Sequence, residues 1–166
     1  MSRSKLHPLL GIELPTWTEE TTPIRTGGST GLVGTFGLTR SGGRKWHKGV
    51  DLLAVVGWPV FAMHDGQVLR AGLENPSDDK QGYGRRIWLR RDDRIRSVYA
   101  HLSDLYVSPG AHVKAGHLLG RVGRTGNLSV STPTHLHLEV RAYNEPISPL
   151  AWLRGRIDHK GVTYVD

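Results

Sequence analysis

From Leu32 onward no run of apolar residues keeps the 3.6-residue period of a helix. The chain reads instead as short stretches of Val, Ile, Leu, Tyr and Trp separated by glycine-bearing turns, the grammar of β-strands. VGTFGL (33–38), VDLLAVV (50–56), PVFAMHDGQVLRAGL (59–73), RIWLRR (86–91), IRSVYAHL (95–102), HLLGRVG (117–123) and HLHLEVRAY (135–143) all carry it. The 21 glycines and 9 prolines among 166 residues are more than a helical protein of this size needs. ENPSDDKQGYG (74–84) reads as a polar hairpin or loop insertion. SPLAWLRG (148–155) is predicted to form one short terminal helix capped by Ser148.

The length suits one domain. Residues 1–31 read as an arm, marked by Pro8, Pro15, Pro23 and the GGSTG of 27–31; the domain is expected over 32–154 and a tail over 155–166. The first residues, MSRSKLHPLLGIELP, make a poor secretory signal because Pro8, Glu13 and Pro15 interrupt the apolar run. No segment approaches the roughly 20 apolar residues of a membrane-spanning helix. Hydrophobic residues at 37% against 22% charged exclude global disorder. The absence of cysteine excludes disulfide scaffolds, thiolate zinc fingers and cysteine catalysis, so the nine histidines remain for metal or acid–base chemistry. A net charge of +7 and a pI near 10.1 favour a polyanionic partner: nucleic acid, anionic lipid or an acidic wall polymer.

The chemistry concentrates in three segments. In Thr134-His135-Leu136-His137-Leu138-Glu139-Val140, strand alternation puts His135 and His137 on one face and Leu136, Leu138 and Val140 on the other. Two imidazoles so placed can share a metal site, one binding the ion and one reaching a bound water; two surface histidines would be the plain alternative. In His47-Lys48-Gly49-Val50-Asp51, an imidazole and a carboxylate four residues apart can reach one ion across a glycine turn. His47, Asp51 and His137 together would supply three protein ligands, leaving a fourth tetrahedral position for water. In Tyr99-Ala100-His101-Leu102 a further histidine stands available for acid–base work. His7, His64, His112, His117 and His159 have no partner at ligand spacing and stay outside the site, His64 as a turn entry before Asp65-Gly66.

GRKWHKGVD, then YAHL, then HLHLEV, in this order, resemble the motifs of the lysostaphin/LytM-type zinc metallopeptidases. GWPVFAMHDGQVLRAG, GYG (82–84) and SPGAHVKAGHLLGRVGRTGN (108–127) fit the same frame, so the resemblance runs from about Leu32 to Trp152. It implies a mostly β, antiparallel, two-sheet sandwich-like domain with a groove and few short helices. It also implies one zinc ion per chain, held by His47, Asp51 and His137, with His101 and His135 as catalytic residues. Such an ion lowers the pKa of a bound water toward about 7, and the two histidines would take the proton and stabilise the tetrahedral charge. The implied function is hydrolysis of cross-linking peptides in peptidoglycan by a monomer acting in the periplasm or extracellular wall. Delivery would be by phage, by a secretion apparatus or through a removed leader. Anionic wall polymers are expected to bind weakly through the basic surface.

Two departures stand out. TRSGGRKW has no tyrosine ahead of His47, which argues against glycine bridges as substrate and leaves Trp46, Arg44 or Arg40 to shape the rim. NLSVSTPT (127–134) is longer than the usual link and is expected to form one wall of the cleft. Glu139 shares the face of His137 and suits a supporting or salt-bridging role. Three rivals differ in what they require. A non-catalytic wall-binding or hydrolase-activating domain of the same fold would lack ligands. A phosphohistidine carrier would need neither Asp51 nor a basic surface. A nucleic-acid binder would interleave basic residues with exposed aromatics, which only RRIWLRRDDRIR approaches, and no nucleic-acid partner is expected.

Overall fold

The computed structural model describes residues 44–149 continuously, preceded by 32–34, 36–40 and the strand residues 5–6 and 13–14. Two short strands, β1 (Lys5–Leu6) and β2 (Glu13–Leu14), pair with each other. Then follow β3 (Leu32–Gly34), β4 (Gly37–Arg40), β5 (Lys45–His47), β6 (Val50–Leu53), β7 (Pro59–Phe61) and β8 (Gly66–Leu73). β9 (Arg85–Arg90), β10 (Ile95–Leu105), β11 (His112–Val113), β12 (Leu118–Val122), β13 (His135–Ala142) and β14 (Glu145–Ile147) complete the set. Every ladder is antiparallel, and no α-helix occurs among the described residues.

β4 and β5 form a separate hairpin. The larger sheet runs β11-β8-β9-β10-β13-β6-β3, with β14 on β13. β10 joins two branches of this one sheet. Its first part pairs with β9 and β13, and from Leu102 it pairs with β12, which in turn pairs with β7. The core between them takes Val50 and Leu52 from β6, Ile87 and Leu89 from β9, Tyr99 from β10, Leu119 and Val122 from β12 and Leu136, Leu138 and Val140 from β13. Alternation along β13 then leaves His135, His137 and Glu139 on the face away from that core.

The strand runs hold with altered ends. VGTFGL divides into β3 and β4, with Gly37 opening β4 at a φ of +104° that suits glycine. PVFAMHDGQVLRAGL divides into β7 and β8, because a bend at His64 and Asp65 separates them. VDLLAVV ends as a strand at Leu53, and Val55 and Val56 are exposed. The short strands β5, β11 and β14 are additions that two or three residues of pattern could not announce. Residues 74–84 form the expected loop between β8 and β9. The helix expected over 148–155 lies, beyond Pro149, outside the described residues, as do the tail and most of the arm. No helix of the described residues is long and apolar enough to cross a membrane.

Candidate active site

β5, β6, β10 and β13 bring all five selected residues together. Asp51 stands directly opposite His137 in the β6–β13 ladder, and His135 opposite Leu53. Gly49 permits that closeness: a Cβ there would lie 2.2 Å from the Leu138 carbonyl oxygen, so any side chain would push β6 off β13. His47 enters from the end of β5. Its Nε2 lies 3.2 Å from Asp51 Oδ1 and 3.2 Å from His137 Nδ1, and Asp51 Oδ1 lies 2.8 Å from the same Nδ1. All three side chains are buried, and their ligand atoms lie within 4.8 Å of one another. Two imidazole nitrogens and a carboxylate oxygen aimed at one point are a donor set that a shared divalent cation satisfies, and zinc accepts both atom types. The residues therefore fit a metal ion.

His137 is held from behind. Its Nε2 lies 2.9 Å from Glu139 Oε1, while Glu139 Oε2 accepts from Arg141 Nε at 2.8 Å and Tyr83 donates its hydroxyl to Oε1. With Nε2–H committed to Glu139, Nδ1 is the atom turned toward Asp51 and His47. Burial alone would lower the His137 pKa, but its bonds to Asp51 and Glu139 raise it. Burial likewise opposes charge on Asp51. The hydrogen bonds from His137 and His47 outweigh it and hold the carboxyl well below the usual range.

His101 and His135 flank this group. Their ring centroids are 5.2 Å apart, and His101 is 5.8 Å from His137. His101 Nδ1 donates to the Thr125 carbonyl at 2.8 Å, and His135 Nδ1 to the Pro133 carbonyl at 2.9 Å. Each bond fixes the proton on Nδ1 and makes Nε2 the basic nitrogen. His135 Nε2 lies 3.5 Å from Asp51 Oδ1. Burial, then the neighbouring imidazoles of His137 and His135, push the His101 pKa down to about 3, so it is neutral at pH 7. Its place is unusual, because β10 changes partner there and His101 takes a left-handed backbone, φ 65°. Gly126 makes room for the ring: a Cβ on Gly126 would stand 2.6 Å from His101 Nδ1.

These side chains open into a groove of about 340 Å³ that is also lined by Lys45, Trp46, Tyr83, Asn127 and Leu128. The wall expected from the long 127–134 loop is thus present at its first two residues. Trp46 forms part of the rim, edge-on to Phe36 at 5.3 Å. Tyr83 and Arg141 escaped the sequence reading. GYG was legible only as part of a frame, whereas Arg141 continues the two-residue spacing of His137 and Glu139 and could have been found. His64 is no simple turn entry, since it is buried and its Nε2 is 2.8 Å from Ser97 Oγ.

Residues 45–149, from the first strand of the site to the end of the described chain, match peptidase family M23. The chain belongs to this family. Over 125 residues it is 33% identical to the murein hydrolase activator NlpD of Escherichia coli (strain K12), covering 75% of this chain and 30% of that relative. Among solved structures it is similar to the catalytic domain of the antimicrobial peptidase lysostaphin from Staphylococcus simulans, with TM-score 0.60, 33% identity, and 76% and 92% of the two chains covered. It is also similar to a zinc-containing peptidase from Vibrio cholerae, with TM-score 0.65 and 26% identity over 76% of this chain and 37% of that one. M23 membership accounts for the mostly β fold and for the groove; the chain spans less than a third of NlpD.

Proposed function

We propose that the unit spanning 32–154 is a zinc-dependent endopeptidase that hydrolyses cross-linking peptides of peptidoglycan, acting in the wall outside the cytoplasm. The observation that supports it most is the convergence of His47, Asp51 and His137 beside two imidazoles with their Nδ1 protons already committed. His47 Nε2, Asp51 Oδ1 and His137 Nδ1 would hold one zinc ion. When bound, zinc supplies a Lewis acid for the scissile carbonyl and lowers the pKa of water. The remaining chemistry belongs to the protein. His101 and His135 both present a basic Nε2: one accepts the proton of the attacking water, and the imidazolium so formed stabilises the developing oxyanion and passes the proton on to the leaving amine. Glu139, braced by Arg141 and Tyr83, keeps His137 in the tautomer that presents Nδ1. Trp46 and Leu128 give the peptide an apolar rim.

A second reading follows from the similarity to a murein hydrolase activator: the domain would bind the wall and stimulate another enzyme. The complete donor set favours hydrolysis. Elemental analysis of the purified protein separates ligand from catalyst. About one zinc per chain is expected, lost in His137→Ala and retained in His101→Ala and His135→Ala, which lose roughly 100- to 10,000-fold in rate. Unchanged metal in His137→Ala would sink the ligand assignment.

A further inference from the structure

Trp88 and Arg90 of the stretch RRIWLRR have no part in the site, yet they lie on the same face of the same sheet. Residues directly opposite one another in antiparallel strands point to one side. Two rows cross β13, β10, β9 and β8 on the side of the sheet that bears His137. The nearer runs Glu139–Val98–Trp88–Arg70, and the farther runs Arg141–Arg96–Arg90–Gln67. The other face of these strands is the core, with Leu138, Tyr99 and Ile87, then Val140, Ser97 and Leu89, all buried. At roughly 3.3 Å per residue, the farther row lies about 13 Å along β13 from His137.

This arrangement opposes folding. Like charges facing each other on neighbouring strands repel, yet three arginines stand in line. Arg141 is neutralised by Glu139 and Arg90 by Asp93. Among the described residues, neither Arg96, which stands between those two, nor Arg70 has a carboxylate partner. Arg70 lies over the Trp88 ring at 5.5 Å and Arg141 at 5.0 Å. Bases of a nucleic acid would need an open aromatic face to stack on, and guanidinium groups already occupy this one. What the face offers instead is two planar donor forks without a carboxylate partner among the described residues, Arg96 on β10 and Arg70 on β8, two strands and so about 10 Å apart across the sheet, each a match for a carboxylate.

We propose that this arginine face, centred on Arg96 and Arg70, docks the free carboxylates of the peptidoglycan peptides, holding the polymer across the sheet while one of its bonds lies over the imidazoles. The inference rests on the substrate reading given above. It is tested by co-sedimentation with purified peptidoglycan stripped of attached polymers, using the full chain and the double variants Arg70→Gln/Arg96→Gln and Arg70→Glu/Arg96→Glu. The Glu variant should bind at least tenfold more weakly and the Gln variant less so. Amidating the polymer's carboxylates should weaken the wild type to the level of the Glu variant. Cleavage of a short uncharged peptide and zinc content should not change, and the Gln variant should melt no lower than wild type because a repulsive row has been relieved. Unaltered sedimentation of both variants, or of wild type on amidated polymer, overturns the proposal. So does a loss confined to DNA binding. Because sedimentation reads binding and not turnover, carboxylate-dependent binding without peptide release supports the docking face and overturns the hydrolytic reading.

Discussion

His101 holds its left-handed backbone in the middle of the longest strand, where a residue with a Cβ is strained by about 1–2 kcal/mol. Glycine is not. His101→Gly should therefore be more stable than His101→Ala by about 1 kcal/mol in chemical denaturation, while both lose activity equally. A second histidine carries a different burden. His64 Nδ1 donates to the Asp65 carbonyl and its Nε2 meets Ser97 Oγ, whose hydroxyl contacts Tyr99, which accepts from the Met63 amide. Burial pushes the His64 pKa from 6.5 down to about 4. Between those values the unfolded chain binds a proton that the folded chain refuses, so stability is full above pH 6.5 and falls as pH drops toward 4. The loss amounts to at most about 3 kcal/mol. His64→Gln should be less stable at pH 7 but show a flatter acid limb from pH 6.5 to 4; an identical slope in urea titrations would remove His64 from the acid response. None of this was legible in the sequence. A buried hydrogen-bonded histidine and a turn histidine look alike until distant strands supply Ser97 and Tyr99.

The strands themselves were largely legible, because β9 buries alternate residues and β13, although buried throughout, alternates polar and apolar residues in sequence. The same alternation sorted His135 and His137 from Leu136 and Leu138, and so half of the site could be read from β13 alone. What sequence spacing could not supply was register. The placement of Asp51 opposite His137 depends on β6 reaching β13, and that depends on Gly49. Gly49→Ala should force the strands apart, destabilising the fold by about 1–3 kcal/mol and reducing bound zinc in proportion. Wild-type stability and full metal content in that variant would show that the close approach has no bearing on the site. The change of partner along β10 was equally hidden, since nothing in IRSVYAHLSDL marks the residue at which it passes from β13 to β12.

At the scale of the whole molecule, the sheet carries two surfaces on one face: a buried cluster of imidazoles and carboxylates, and a row of arginines farther along the same strands. Of the cations behind the +7 charge, Arg70 and Arg96 stand on that face without a carboxylate partner among the described residues. Family membership allows both a peptidase and an activator of other wall enzymes, and product chemistry separates them. Mass spectrometry of the fragments that the purified, zinc-loaded protein releases from isolated peptidoglycan is the direct test. Peptides bearing new amino and carboxyl ends should appear with the protein alone and vanish with His101→Ala or His135→Ala. No new peptide ends with the protein alone, together with faster release by an added wall hydrolase, would contradict the assignment of this cluster as a hydrolytic centre.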